Sequence, residues 1–94
     1  MIKRAHLEVF GRVQGVYYRQ ETMEQAVSHG VTGWVRNNRD GNVEAVFEGE
    51  ERAVREMVKW CGRGPVSAQV ERVEVSWETP TGEFDRFHIE RGGW

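Results

Sequence analysis

The chain has 94 residues, a length that suits one hydrophobic core and leaves no room for a second, so residues 1–94 are expected to form a single domain. Lysine and arginine number 13 against 15 acidic residues, and the net charge of −2 gives no general electrostatic footprint for nucleic acid or a membrane surface. A lone cysteine, Cys61, excludes an internal disulfide and makes the reducing cytoplasm the expected location; no signal-type segment or apolar run of membrane-spanning length is evident.

Residues 5–13 alternate, with Leu7, Val9 and Gly11 on one side and His6, Glu8 and Phe10 on the other, which is the period of a strand. The following Gly11-Arg12-Val13-Gln14-Gly15-Val16-Tyr17-Tyr18-Arg19 carries two glycines and reads as a tight loop. Met23, Ala26 and Val27 recur at helical spacing over residues 19–29, and Gly30 stands where a left-handed stop is expected. Val31, Gly33, Val35 and Asn37 alternate up to the turn-forming Asn38-Arg39-Asp40-Gly41, after which Val43, Ala45 and Phe47 resume the alternation, giving a hairpin. Glu51 to Cys61 puts Val54, Met57, Val58 and Cys61 on one helical stripe, with acidic residues leading as the helix dipole favours and an end near Gly62. Val73, Val75 and Trp77 alternate as a fourth strand after the breaker Gly62-Arg63-Gly64-Pro65. Phe87-His88-Ile89 makes a short last strand, and Gly92-Gly93-Trp94 reads as a loose tail. The order β-α-β-β-α-β plus an added edge strand predicts an α+β sandwich, with both helices on one face of an antiparallel sheet.

If the first helix is a right-handed crossover between parallel strands, the C-terminal ends of strands one and two lie on the same sheet edge, even with strand three between them. Two loops then converge. One is Gly15 to Arg19, whose free N–H groups and positive helix end can face an anion. The other holds Arg36, Asn37, Asn38 and Arg39. By itself a Gly-x-x-x-Gly loop is weak evidence for a phosphate, since glycine usually serves a turn; an arginine in a first helical turn is more often a solvated surface residue and opposes the dipole unless an anion or carboxylate compensates it; and either Asn37 or Asn38 could be a turn residue.

Val9-Phe10-Gly11-Arg12-Val13-Gln14-Gly15-Val16-Tyr17-Tyr18-Arg19 resembles the first signature of the acylphosphatase family. Gly33-Trp34-Val35-Arg36-Asn37-Asn38-Arg39-Asp40-Gly41-Asn42-Val43, followed by Gly49, resembles the second. The resemblance spans nearly the whole chain. It implies a ferredoxin-like fold and hydrolysis of the carboxyl-phosphate anhydride bond of acyl phosphates. It also implies a phosphate cradle formed by Gln14, Gly15, Val16, Tyr17, Tyr18 and Arg19, with Arg19 as phosphate-binding arginine and Asn37 as the residue that positions water. Tyr18 departs from the family's usual phenylalanine, and its hydroxyl needs a partner.

The chemistry fits those residues. Water attack on the phosphorus of an acyl phosphate expels a carboxylate, which leaves without a proton, and the loop region has no histidine or cysteine to act as general acid or nucleophile. Charge stabilisation and alignment are then what the protein must provide, through an arginine fork, main-chain donors and a carboxamide that orients water. The expectation is direct attack without phosphoenzyme, metal or cofactor. Inorganic phosphate and sulfate should compete, and the protein is expected to be a monomer with a small-molecule substrate and no nucleic-acid or membrane partner.

Other residues are read as structural. His6, His29 and His88 lack metal-ligand spacing, Cys61 lies on an apolar helical stripe, Trp34, Trp60 and Trp77 are packing residues, and Glu48, Glu50 and Glu51 form a solvated acidic run. One alternative is an RNA-binding module, using Arg12, Arg36, Arg39, Tyr17 and Tyr18 on an open sheet face; the charge balance and the missing aromatic strand pattern oppose it. The resemblance leaves another open, since similar domains occur within larger carbamoyl-phosphate-processing proteins.

Overall fold

The computed structural model describes residues 1–91; the tail expected over 92–94 lies outside them. Its elements are β1 (Ile2–Arg12), α1 (Tyr18–His29), β2 (Thr32–Asn37), β3 (Val43–Glu50), α2 (Glu51–Arg63), β4 (Gln69–Glu78) and β5 (Phe87–Ile89). In β1 the period of two puts Ala5, Leu7 and Val9 wholly inside, while Arg4, His6, Glu8 and Phe10 take the other face. Val35, Val43, Ala45 and Phe47 continue the inner layer across β2 and β3. Over it lie Tyr18, Thr22 and Ala26 of α1 and Val54, Met57, Trp60 and Cys61 of α2. Each large side chain so buried contributes about 1.5–3 kcal/mol of transfer free energy.

The sheet runs β4-β1-β3-β2-β5. Because β1 and β2 each pair antiparallel with β3, they are parallel to one another and end on the same edge. This is the juxtaposition that the crossover rule requires. The two helices divide the inner face of the sheet between them, with α1 packed over β2 and β5, and α2 over β1, β3 and β4. No helix among the described residues is long and apolar enough to cross a membrane.

Several expectations need adjustment. Four strands pair antiparallel, but β5 pairs parallel with β2, so the sheet is mixed. The cause is topological: β4 ends one side of the sheet, and the chain must cross beneath all the strands to reach the other. That crossing is held by Glu48, which is 5% exposed and accepts hydrogen bonds from the N–H groups of Thr81 (3.2 Å) and Gly82 (2.7 Å). Arg4 joins it, donating to Glu78 and Glu83 and lying 3.4 Å from Glu48. Glu48 is thus a buried staple rather than part of a solvated run. Trp77 is not core; it is 45% exposed and lies under the Arg55 guanidinium. Val27 also faces outward, because the inner face of α1 is set by Tyr18, Thr22 and Ala26, one step around the helix. The second helix runs two residues past Cys61 to Arg63, and Gly64 caps it.

Candidate active site

The first half of the site begins where β1 leaves the sheet. The β1–β4 register shifts between Phe10 and Gly11, and Gly11 adopts φ 126°; a Cβ there would lie 2.2 Å from the Gln69 carbonyl oxygen, so only glycine permits this bend. The chain then turns through Gly15 (φ 73°) and Tyr17 (φ 63°) into α1. Tyr17 is the N-cap, and its side chain makes no capping hydrogen bond.

Every second residue of the loop is tied down. Gln14 Nε2 donates to the carbonyl oxygens of Asn38 (2.7 Å) and Asn42 (3.0 Å) in the hairpin opposite. Ser67 Oγ donates to the Val16 carbonyl (3.1 Å). The Tyr18 ring is buried 5.5 Å from the Trp60 ring, and its hydroxyl donates to the Cys61 carbonyl (2.6 Å), an otherwise orphaned acceptor in the last turn of α2. Tyrosine is therefore accommodated at this position with its hydroxyl satisfied, and burial together with the Cys61 contact pushes its pKa far up. Burial also pushes the Cys61 thiol up to about 12, so it is an inert core residue.

All these ties use side chains or carbonyls, and they leave the amides alone. Among the described residues, no main-chain N–H from Gln14 through Gln20 donates to a protein acceptor; the first helical bond is Glu21 N–H to the Tyr17 carbonyl. A loop tied down in this way, with an unbroken run of free donors at a helix start, has the form of an anion cradle. Arg19 stands in it, half-buried, with no hydrogen bond or ion pair to any described residue.

The second half comes from the end of β2. Alternation sends Asn37 to the helix side of the sheet and Asn38 to the open side. Asn37 is 6% exposed, and its carboxamide makes no hydrogen bond to a described residue; as placed, Oδ1 is enclosed without a partner. A half-turn of the amide exchanges oxygen and nitrogen without needing space, so either can face outward. Asn38 instead donates through Nδ2 to Glu44 (3.2 Å) and closes the turn with Asn42 through its main chain (2.9 Å).

One cavity of about 360 Å³ joins both halves, lined by Val13, Gly15, Tyr17, Tyr18, Arg19, Gln20, Asn37 and Ile89. It brings Arg19 and Asn37 together with Gly15, Tyr17 and Tyr18. Gln14 and Val16 do not line it: the Gln14 side chain is spent on the hairpin and Val16 packs toward the core, leaving only their N–H groups for a ligand.

Sequence reasoning missed the support beneath the hairpin. Glu44 accepts from Arg36 (2.8 Å) and Asn38 and pairs with His6 (2.5 Å). Burial alone would raise its pKa, but the bonds from His6, Arg36 and Asn38 outweigh it and hold the carboxyl below its ordinary value. Asn42, 3% exposed, donates to Glu8 (2.6 Å). The period of two does place Glu8, Arg36 and Glu44 on the open face, but only the strand register puts them side by side. His29 and His88 lie elsewhere, and among the described residues no group of three or more His, Cys, Asp or Glu is placed to hold a metal ion.

Residues 5–89 match the family model described as Acylphosphatase. An acylphosphatase of Pelotomaculum thermopropionicum is 55% identical over 86 residues, covering 92% of this chain and 94% of the relative. One from Roseiflexus sp. is 57% identical over 86 residues, covering 92% of each. The crystal structure of acylphosphatase from Bacillus subtilis superposes with a TM-score of 0.90 at 32% identity, covering 96% of this chain and 99% of that one.

Proposed function

Since the chain belongs to the acylphosphatase family, and is an enzyme that hydrolyses acyl phosphates to carboxylate and inorganic phosphate, we propose that Arg19 and Asn37 carry this reaction by direct attack of water on phosphorus, without metal, cofactor or phosphoenzyme. The observation that supports it best is the shared cavity, which joins an unpaired guanidinium, a run of free amides and an unpartnered carboxamide.

Phosphate oxygens take the N–H groups of Gln14, Gly15, Val16, Tyr17, Tyr18 and Arg19, and the Arg19 fork binds two of them with charge-assisted bonds. These donors face the equatorial oxygens, where negative charge spreads in the loose transition state. The Asn37 carboxamide, with its oxygen turned to the cavity, accepts a hydrogen bond from water and aims the lone pair at phosphorus in line with the bond that breaks. A carboxamide is too weak a base to take the proton, so a phosphate oxygen receives it while the carboxylate departs unprotonated. Phosphate and sulfate compete by filling the same cradle.

Residues 1–94 act as one domain, a cytoplasmic monomer. The long outer edge of β4 carries Glu71, Arg72, Glu74 and Glu78, charges that discourage edge pairing with another chain. Nucleic acid is not a partner: the middle of the open face is acidic, with Glu8 in register with Glu44 on one side and Glu74 on the other. The test is release of phosphate from benzoyl phosphate in excess chelator. Full activity is expected, and loss of activity restored by added metal would overturn the metal-free mechanism.

A further inference from the structure

The cradle and Arg19 grip only the phosphoryl end of the substrate, so its acyl end must be met by other residues. Tyr17 lines the site cavity and is 77% exposed, the most exposed aromatic side chain among the described residues. It is also the one non-glycine residue among them with positive φ (63°), a conformation that costs free energy in any residue with a Cβ. Its ring makes no stacking contact, and its hydroxyl makes no hydrogen bond to a described residue. A strained backbone that holds a large apolar ring in solvent beside a cavity has no packing explanation, because the neighbouring Tyr18 already supplies the anchor that ties this loop to the core.

In-line displacement decides what stands near the ring. Water approaches phosphorus from the wall formed by Asn37 and Ile89, at the β2–β5 end of the cavity, so the acyl group must leave on the opposite side. The loop donors take the equatorial oxygens, so the acyl group leaves past the loop towards the cavity mouth, where Tyr17, which lines the cavity and is 77% exposed, supplies an apolar side chain. We propose that Tyr17 is a specificity-determining residue whose ring stacks on the acyl group, giving the enzyme a preference for acyl phosphates with a planar aromatic acyl part over those with a small aliphatic one. This rests on the acyl phosphate reading of the same site. Ring-on-ring contact at a half-open site discriminates by severalfold to about tenfold, so the preference is graded rather than absolute.

The experiment compares kcat/KM for benzoyl phosphate and acetyl phosphate in the native chain and in Tyr17→Asn, Tyr17→Gly and Tyr17→Phe. Asparagine and glycine both tolerate positive φ, so the loop keeps its path, and thermal unfolding of each variant checks that it folds. The readout is the benzoyl-to-acetyl ratio, which cancels whatever a substitution does to the phosphoryl end that both substrates share. The ratio is expected to fall about fivefold to tenfold in Tyr17→Asn and Tyr17→Gly, mainly through a higher KM for benzoyl phosphate, and to stay near native in Tyr17→Phe. An unchanged ratio in both ring-free variants, with the native chain hydrolysing both substrates, overturns the assignment of Tyr17 alone. A native chain that releases phosphate from neither substrate overturns the underlying reading and this one with it.

Discussion

Replacing Arg19 with alanine tests the core of the mechanism, and its effect can be sized. The guanidinium has no polar partner among the described residues, so its removal breaks no hydrogen bond or ion pair. It lies in the first turn of α1, where a positive charge opposes the helix dipole by about 0.3–1 kcal/mol. Arg19→Ala should therefore fold at least as well as the native chain, with Tm unchanged or a few degrees higher. Catalysis should behave in the opposite way. Two charge-assisted hydrogen bonds worth about 1.5–3 kcal/mol each sum to roughly 3–6 kcal/mol, which at about 1.4 kcal/mol per decade is on the order of 10²- to 10⁴-fold. A loss of on the order of 10³-fold in kcat/KM agrees with other arginines that grip a transferring phosphoryl group. Benzoyl phosphate hydrolysis followed continuously, with thermal unfolding on the same samples, measures both. A variant within tenfold of native activity would remove Arg19 from the mechanism; a large fall in Tm beside the lost activity would show that its role is structural.

Asn37→Ala should bind inorganic phosphate almost normally, by calorimetric titration, yet turn over very slowly, whereas Asn38→Ala, which alters the open face, keeps most activity; the reverse outcome would exchange their roles. Tyr18→Phe leaves the buried Cys61 carbonyl without its donor and should cost about 1–2 kcal/mol, seen as a lower denaturant midpoint, with no loss of stability counting against that bond. For Glu44 the folded pKa lies below the ordinary 4.5, so on acidification the unfolded chain takes up the proton first. Its contribution is complete above the ordinary carboxylate range and disappears as pH falls through the depressed value. Glu44→Gln should accordingly be less stable than the native chain at pH 7, and the gap should shrink towards pH 3 in denaturant titrations; a gap independent of pH would argue that the hydrogen bonds do not depend on its charge.

Local chemistry was legible because it obeys short-range rules. Alternation along residues 5–10 and 43–47 marks strands whichever partners they find, and Gly30, with φ 70°, ends α1 as its position implies. Arg19 and Asn37 were legible through the two long motifs around them, and the crossover rule gives a reason for their meeting. Register and long-range return were not legible. Glu48 reads as one more surface acid until the chain comes back beneath the sheet and offers it two amides, and β5 becomes parallel only because β4 closes the far side. Nothing along the sequence marks Gln14 as the clasp between loop and hairpin, since its acceptors are carbonyls more than twenty positions away. Side-chain type and period are properties of neighbours in the chain, and these marked the elements and the candidate site residues. Which donor meets which acceptor across the sheet depends on how the whole chain packs, and that was settled only in three dimensions.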